Sequence, residues 1–268
     1  AWGALSIVLG IRTSVQTITS RRLGQKKTME CINALINGFI LASIYALPIS
    51  ILGYSYGYLI IPLFIDDTLT TPIAISYFSI SSIGIFFNAL SFVFQGFYTG
   101  IEKTKIHLNV TIVSNVINAY LNAGLIYGKQ GLVNVLGLEK ISFIDFSKLW
   151  FWADFDGMGV SGAAIGTLIS SIWMMLHYFY YLNKQDVVRQ NKGFLRLKKQ
   201  VSLSFPMGIQ EMMIAIGYSI FYKIMSIIGI VELATTQLLF TIMHASFMPA
   251  MGVGQACATL VGKYMGSK

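Results

Sequence analysis

Residues 31–52 read CINALINGFILASIYALPISIL, 22 positions without a charged side chain. A helix of that length rises about 33 Å, enough to cross the roughly 30 Å hydrocarbon core of a bilayer. A soluble core helix of such uniform character is rare, because one face of it would ordinarily meet water. Moving outward in both directions, the pattern repeats. Apolar spans predict helices at 2–20 (α1), 31–52 (α2), 73–98 (α3), 106–128 (α4), 159–182 (α5), 202–226 (α6) and 233–262 (α7). A continuation of α2 past Gly53, through Tyr54 to Ile65, is open until Asp66-Asp67 and the turn at Thr71-Pro72. In lipid each backbone group must be satisfied within its own segment, so repeated spans of this length mean helices.

The composition agrees. Hydrophobic residues make up 55% of the 268 positions and charged residues only 11%, against about 25% charged in soluble domains. The net charge of +8 does not imply nucleic acid, because the basic residues collect in short segments between apolar spans. Arg21, Arg22, Lys26 and Lys27 follow α1, and Lys103 and Lys105 follow α3. Lys184, Arg189, Lys192, Arg196, Lys198 and Lys199 follow α5, and Lys263 and Lys268 follow α7. The opposite ends carry only Lys129, Lys140, Lys148 and Lys223. Lys/Arg-rich loops face the cytoplasm, so the expected topology is a multi-pass cytoplasmic-membrane protein with its first residue outside and its last inside.

Cys31 and Cys257 form no disulfide framework. No signal peptide is visible, and Ala1 already lies in an apolar run, which reads as a piece of a longer chain. The segment 129–158, rich in Phe and Trp, reads as an amphipathic stretch at the membrane interface. Asp154-Phe155-Asp156-Gly157 opens like a calcium loop but lacks its later ligands and closing Glu, so no metal site is expected.

A repeat sets the expected architecture. Gly10–Lys26 aligns with Gly252–Lys268 at a fixed offset of 242 residues, with identities at Gly10/Gly252, Thr17/Thr259, Gly24/Gly266 and Lys26/Lys268. Both segments end a helix running toward the basic side, and α1 and α7 are six helices apart. The expected fold is therefore an all-α integral membrane bundle of about seven helices out of twelve, in two pseudo-symmetric six-helix lobes. Residues 1–182 would be the first lobe without its first helix, 183–201 a cytoplasmic linker and 202–268 the first two helices of the second lobe. Transporters use such repeats, with the substrate site between the halves.

Polar side chains inside spans mark cavities or helix contacts. On α4, Thr111, Asn115, Asn118 and Asn122 fall within about 60° of one another at 100° per residue. On α3, Asn88, Ser91 and Gln95 share a face, and on α7 so do Gln237, Thr241, His244 and Gln255. Glue between helices is the plain alternative for the α4 stripe. Gly162 and Gly166 on α5 suit close helix packing. Arg12 and Glu211 are the two deep charges, each in need of a partner. They are expected to face one central cavity, paired directly or through water; the bland alternative is Gln16 or Thr19 for Arg12 and Gln210 or a Tyr for Glu211.

Several stretches, in this order and spacing, resemble the multidrug and toxic compound extrusion (MATE) family. They are Gln95-Gly96-Phe97-Tyr98-Thr99-Gly100 with Lys103-Thr104-Lys105, Asn118-x-x-x-Asn122, and Gly159-Val160-Ser161-Gly162-Ala163-Ala164-Ile165-Gly166-Thr167. Phe205-Pro206-x-Gly208, Gly254-Gln255-Ala256 and Thr259-Leu260-Val261-Gly262 complete the set. The resemblance implies that α1–α7 are family helices two to eight, and that the protein is a monomeric antiporter of small, drug-like, often cationic substrates. The coupling cation would be Na⁺ or H⁺, with no other cofactor. It implies a cation site at Asn118, Asn122 and Thr167, and a coupling role for Glu211. Arg12, Asn88, Gln95, Asn115, Gln237, Thr241, His244 and Gln255 would line the substrate cavity.

The position of Asn122 is usually Asp in the family, and an amide cannot titrate, so protons cannot couple there. A lipid-linked oligosaccharide flippase is the nearest rival, but it would need several deep cations and only Arg12 is deep. A seven-helix receptor is the more distant rival; α7 has no mid-membrane Lys for a retinal Schiff base. An enzyme is not expected: no nucleophile–base set is apparent, and Gly252-x-Gly254 lacks its third Gly.

Overall fold

The computed structural model describes residues 2–63, 68–136, 148, 150–184 and 197–267. Its helices are α1 (Trp2–Gly24), α2 (Thr28–Ile60), α3 (Thr70–Gly100), α4 (Thr104–Leu136), α5 (Gly159–Asn183), α6 (Leu197–Ile228) and α7 (Ile230–Ser267). A 3-10 turn, Ile61–Leu63, continues α2 as its sequence allowed. No strand occurs among the described residues. Residues 137–147 and 149 of the interfacial segment expected at 129–158, and residues 185–196 of the linker expected at 183–201, lie outside them.

Five helices are long and apolar enough to cross a membrane: α2, α3, α4 as far as Gly128, α5 and α6. That makes the chain a multi-pass membrane protein. The two helices that fall short, α1 and α7, are diluted by Arg12, Gln16, Gln237, His244 and Gln255, and these two helices pack on each other.

Two tight turns share one hydrogen-bond pattern. After α1, Lys26 N–H donates to the Leu23 carbonyl and Lys27 N–H to that of Arg22; after α3, Glu102 donates to Thr99 and Lys103 to Tyr98. Both close the helix end through a left-handed residue, Lys26 (φ 59°) and Glu102 (φ 62°), so the last carbonyls find donors. These short closures force neighbouring helices to run in opposite directions.

The chain divides into two compact units, the first made of Ala1–Ile44, Phe92–His107 and Leu182–Lys268, the second of Tyr45–Ser91 and Leu108–Tyr181. In the first, Val8, Val15, Leu35, Val93, Phe94 and Tyr98 form the buried centre. A Cβ on Gly38 would stand 2.6 Å from Val15 and 2.8 Å from Val93, so α2 comes down closely on α1 and α3. Helix α6 runs antiparallel to α1: Ser14 meets Ser204 at 2.7 Å, and Gly10 meets Gly208 one turn away.

In the second unit α4 and α5 are the close pair. Gly162 lies on the Leu125 carbonyl and Gly166 on the Asn122 side chain, as the four-residue spacing predicts. Helix α4 breaks at Gly128 (φ 67°, ψ 173°), where the chain returning toward α5 crosses it. Met158 N–H caps the Leu125 carbonyl at 2.9 Å. Trp150 donates to the Tyr120 carbonyl at 3.0 Å and Trp152 to the Tyr120 hydroxyl at 2.8 Å. These two indoles dock on α4, whereas Phe151 is 76% exposed.

Candidate functional site

Two polar clusters stand out, one in each unit. In the second unit, Asn122 Nδ2 donates to Asn118 Oδ1 at 3.1 Å, and Asn118 Nδ2 reaches Thr167 Oγ1 at 3.4 Å. Thr167 in turn donates to the Ala163 carbonyl at 2.8 Å. The four-residue step on α4 stacks the two amides one turn apart, and Gly166 lets α5 approach closely enough for Thr167 to join them. Asn122 Oδ1 is buried and accepts no hydrogen bond. Buried amide oxygens seldom stay unpaired, since desolvation then goes uncompensated. The string therefore brings the three residues to one helix contact and leaves the Asn122 oxygen unsatisfied. Thr167 and Asn115 are exposed, and Asn115 makes no hydrogen bond to the string among the described residues. Asn88 donates to the Gly84 carbonyl of its own helix at 3.0 Å.

In the first unit the cluster lies between α1 and α7. Arg12 donates to Gln255 Oε1 at 2.8 Å. Gln16 Nε2 donates to the Gln255 carbonyl at 3.2 Å and to Thr259 Oγ1 at 2.9 Å. Below them Gly262 meets Ser20, Gly24 meets the Lys263 carbonyl and Gly266 meets the Arg21 carbonyl. The contacts advance together along both helices, so α1 and α7 are parallel. With an offset of 242 between copies, Gly24 on Lys263 and Gly266 on Arg21 are the same contact made in both directions. That reciprocity is the mark of a two-fold axis along the helix pair. Lys263 also reaches Glu102 at 2.7 Å, and this hydrogen bond raises its pKa above the ordinary lysine value of 10.5.

Among the sequence-selected cavity residues, then, Arg12 and Gln255 meet, and Gln95 lies at 2.8 Å from His107. Gln237, Thr241 and His244 occupy an exposed stretch of α7 and join no cluster. The pairing expected between Arg12 and Glu211 does not form: Arg12 turns to Gln255, and no ion pair involves the half-buried Glu211 among the described residues. The physical reason is that a neutral amide at 2.8 Å already gives a guanidinium a charge-assisted bond. Small residues, Gly10 against Gly208 and Ser14 against Ser204, make the α1–α6 contact without it. Sequence reading missed His107 altogether. Its signal was the short closure at 100–104, which brings the start of α4 back beside Gln95.

Known proteins place this architecture. The MatE family model matches residues 1–123. A probable multidrug resistance protein NorM from Thermotoga maritima is 27% identical over 65% of this chain and 34% of its own length. A protein of the same name from Photorhabdus laumondii is 26% identical over 88% of this chain and 48% of its own length. The chain thus spans about a third to a half of these curated relatives. Among solved structures, a MATE protein in complex with MaL6 superposes with a TM-score of 0.79 at 18% identity, covering 99% of this chain and 55% of its own. An outward-facing MATE transporter of the MOP superfamily gives 0.77 at 18%, over 99% and 55%. Residues 1–123 thus match the MatE family model, and the chain as a whole has the fold of the solved MATE structures.

Proposed function

We propose that these helices belong to a secondary active exporter of drug-like, amphipathic compounds, driven by exchange for a cation. The observation that carries this reading is the reciprocal packing of α1 and α7. Two copies of one helix related by a two-fold axis are what a pair of lobes rocking about a central cavity requires. The NorM relatives, named for multidrug resistance, support the substrate class. The basic helix ends favour a cytoplasmic-membrane orientation with the last residue inside.

The coupling cation on this reading is Na⁺, held by Asn118 Oδ1, Asn122 Oδ1 and Thr167 Oγ1, neutral oxygens that suit a hard cation and do not titrate. The unsatisfied Asn122 oxygen supports it. Glu211 is the group through which protons would act. The test is efflux of a cationic dye from membrane vesicles carrying the protein, with Na⁺ and pH gradients imposed one at a time. A Na⁺ gradient alone should drive export, and Asn122→Leu should abolish that response. Export driven by the pH gradient alone, and lost in Glu211→Gln, would replace Na⁺ by H⁺. No gradient-dependent movement of the dye would refute the exporter reading.

A further inference from the structure

Apart from both clusters, the first unit holds a cavity of about 260 Å³ where the last turns of α1 meet the first turns of α2 and α6. Its polar lining is Arg22, Glu30, Asn33, Asn37, Lys199 and Gln200. The volume falls below the roughly 300–1,000 Å³ that drug-sized ligands occupy, so this is not a second drug site. It fits a small polar group.

The floor of the cavity lacks donors. Asn37 is 4% exposed and Gln200 is 1% exposed, and the side-chain oxygen of each is buried without a hydrogen-bond partner. Gln200 cannot turn away freely, because its Nε2 donates to the Ala34 carbonyl at 3.1 Å. Two unpaired acceptors beside one half-open cavity call for a ligand that brings two donors.

The mouth has the opposite need. Glu30 is already met by Arg22 at 2.7 Å and by Lys27 at 3.7 Å. Lys199 is exposed and makes no ion pair among the described residues. Of the lining charges, Arg22 and Lys199 against the one carboxylate of Glu30 leave an excess of positive charge, which favours an anion. The same excess disfavours an ammonium at the floor, so the donors there should be neutral hydroxyls. Glu30 and Asn37 are seven residues apart on α2, so mouth and floor lie within about 10 Å. One small ligand can span that distance. The cavity also lies where the apolar windows of α2 and α6 begin, beside the basic helix ends. Basic pockets between membrane helices at this level meet anionic headgroups.

We propose that this cavity binds the phosphoglycerol headgroup of an anionic phospholipid. Lys199 and Arg22 hold the phosphate, and the glycerol hydroxyls donate to Asn37 Oδ1 and Gln200 Oε1. A soluble glycerol phosphate offers the same chemistry, so the experiment separates the two sources.

The purified chain is equilibrated in mixed micelles with equal amounts of phosphatidylglycerol, phosphatidylethanolamine and phosphatidylcholine, and its retained lipid is weighed by native mass spectrometry. Phosphatidylglycerol should be retained about tenfold or more over phosphatidylcholine, as two cations beside an anionic group imply. Phosphatidylethanolamine should follow phosphatidylcholine. Lys199→Gln, at an exposed position, should lose most of that preference with unchanged thermal unfolding in lipid-free micelles. Asn37→Leu should lose the advantage of phosphatidylglycerol over an anionic lipid without hydroxyls. Equal retention of all three lipids, or a preference that neither variant alters, overturns the proposal. Displacement of the lipid by millimolar sn-glycerol 1-phosphate, with equal stabilisation of the chain, overturns the lipid source and leaves the phosphate-ester chemistry.

Discussion

Gly24 and Lys263 touch backbone to backbone: a Cβ added to Gly24 would overlap the Lys263 carbonyl. Neither side can rotate out of the way, since the obstacle is main chain. Gly24→Ala should therefore push α1 and α7 apart and cost about 1–3 kcal/mol, as over-packing does. The reciprocal contact of Gly266 on Arg21 predicts a loss of similar size for Gly266→Ala. Gly252 and Gly254 on the same helix have nothing within 4 Å of an added Cβ. Alanine there should be neutral or stabilising by up to about 1 kcal/mol through helix propensity. Thermal unfolding of the four variants in detergent decides it. Equal losses at 24 and 252 would contradict the packing account.

Arg12 and Gln255 should be coupled energetically. The bond of 2.8 Å joins a full charge to a neutral acceptor, a class worth about 1.5–3 kcal/mol. Gln255→Leu should be the more damaging single change, because it deprives a guanidinium rather than an amide. A double-mutant cycle with Arg12→Met measures the shared term. The α1–α7 contact itself should survive Gln255→Leu, since Gln16 uses the Gln255 carbonyl and Thr259, which remain. A coupling of zero would show that the two side chains act separately.

At Asn122, Asp would restore a charge that the amide lacks. If the Asn118–Asn122–Thr167 oxygens hold Na⁺, Asn122→Asp should raise the thermal stabilisation given by NaCl over that given by choline chloride. A carboxylate takes up a proton as pH falls, so this added Na⁺ response should fade in acid, when the proton replaces the ion. In the unaltered chain the response at this site should stay level over the same range. A variant no more sensitive to Na⁺ than its parent would remove the three residues from cation binding.

Tyr120 offers a spectroscopic test in the second unit. Its ring stacks on Trp150 at 5.6 Å, and its hydroxyl accepts from Trp152. A Cβ on Gly124 would stand 2.7 Å from both indoles, so Gly124→Val should lift them from α4 and shift tryptophan emission to the red. Tyr120→Phe removes one hydrogen bond and keeps the stack, which should cost about 0.5–1.5 kcal/mol with little spectral change. Unchanged emission in Gly124→Val would mean the indoles do not rest on α4.

The helices and their alternating directions were legible because a bilayer leaves few choices: about 20 apolar residues must be helix, and short basic loops must reverse the chain. Asn118 and Asn122 were legible as neighbours because they sit one turn apart on a single helix, whereas Thr167 entered only through the family resemblance. What the sequence hid was partner choice. Gln237, Thr241, His244 and Gln255 share a face of α7 by angle, yet among the described residues the hydrogen bonds and glycine contacts between α7 and α1 fall along 255–266. Periodicity gives direction around an axis and says nothing of how far a neighbour extends along it. Arg12 and Glu211 failed for a related reason. Opposite charge suggested a pair, while a nearby amide with better geometry satisfied Arg12 first. Asn37 and Gln200 carried no distinct sequence signal: each sits one turn from another polar residue, Asn33 and Ser204, near a helix end where polar side chains are ordinary.

The reciprocal contact between α1 and α7 has a consequence for how this chain can change. An isologous surface is self-complementary: whatever shape one copy presents, the other must accept. The step cut by Gly24 and the ridge formed by Arg21 are both needed at 266 and 263, so the two copies cannot drift independently. A larger residue at either end closes a gap that its counterpart, 242 positions away, also depends on. Four of seventeen aligned positions remain identical between the copies, and two of them, Gly24 and Gly266, are the residues whose enlargement would separate the helices.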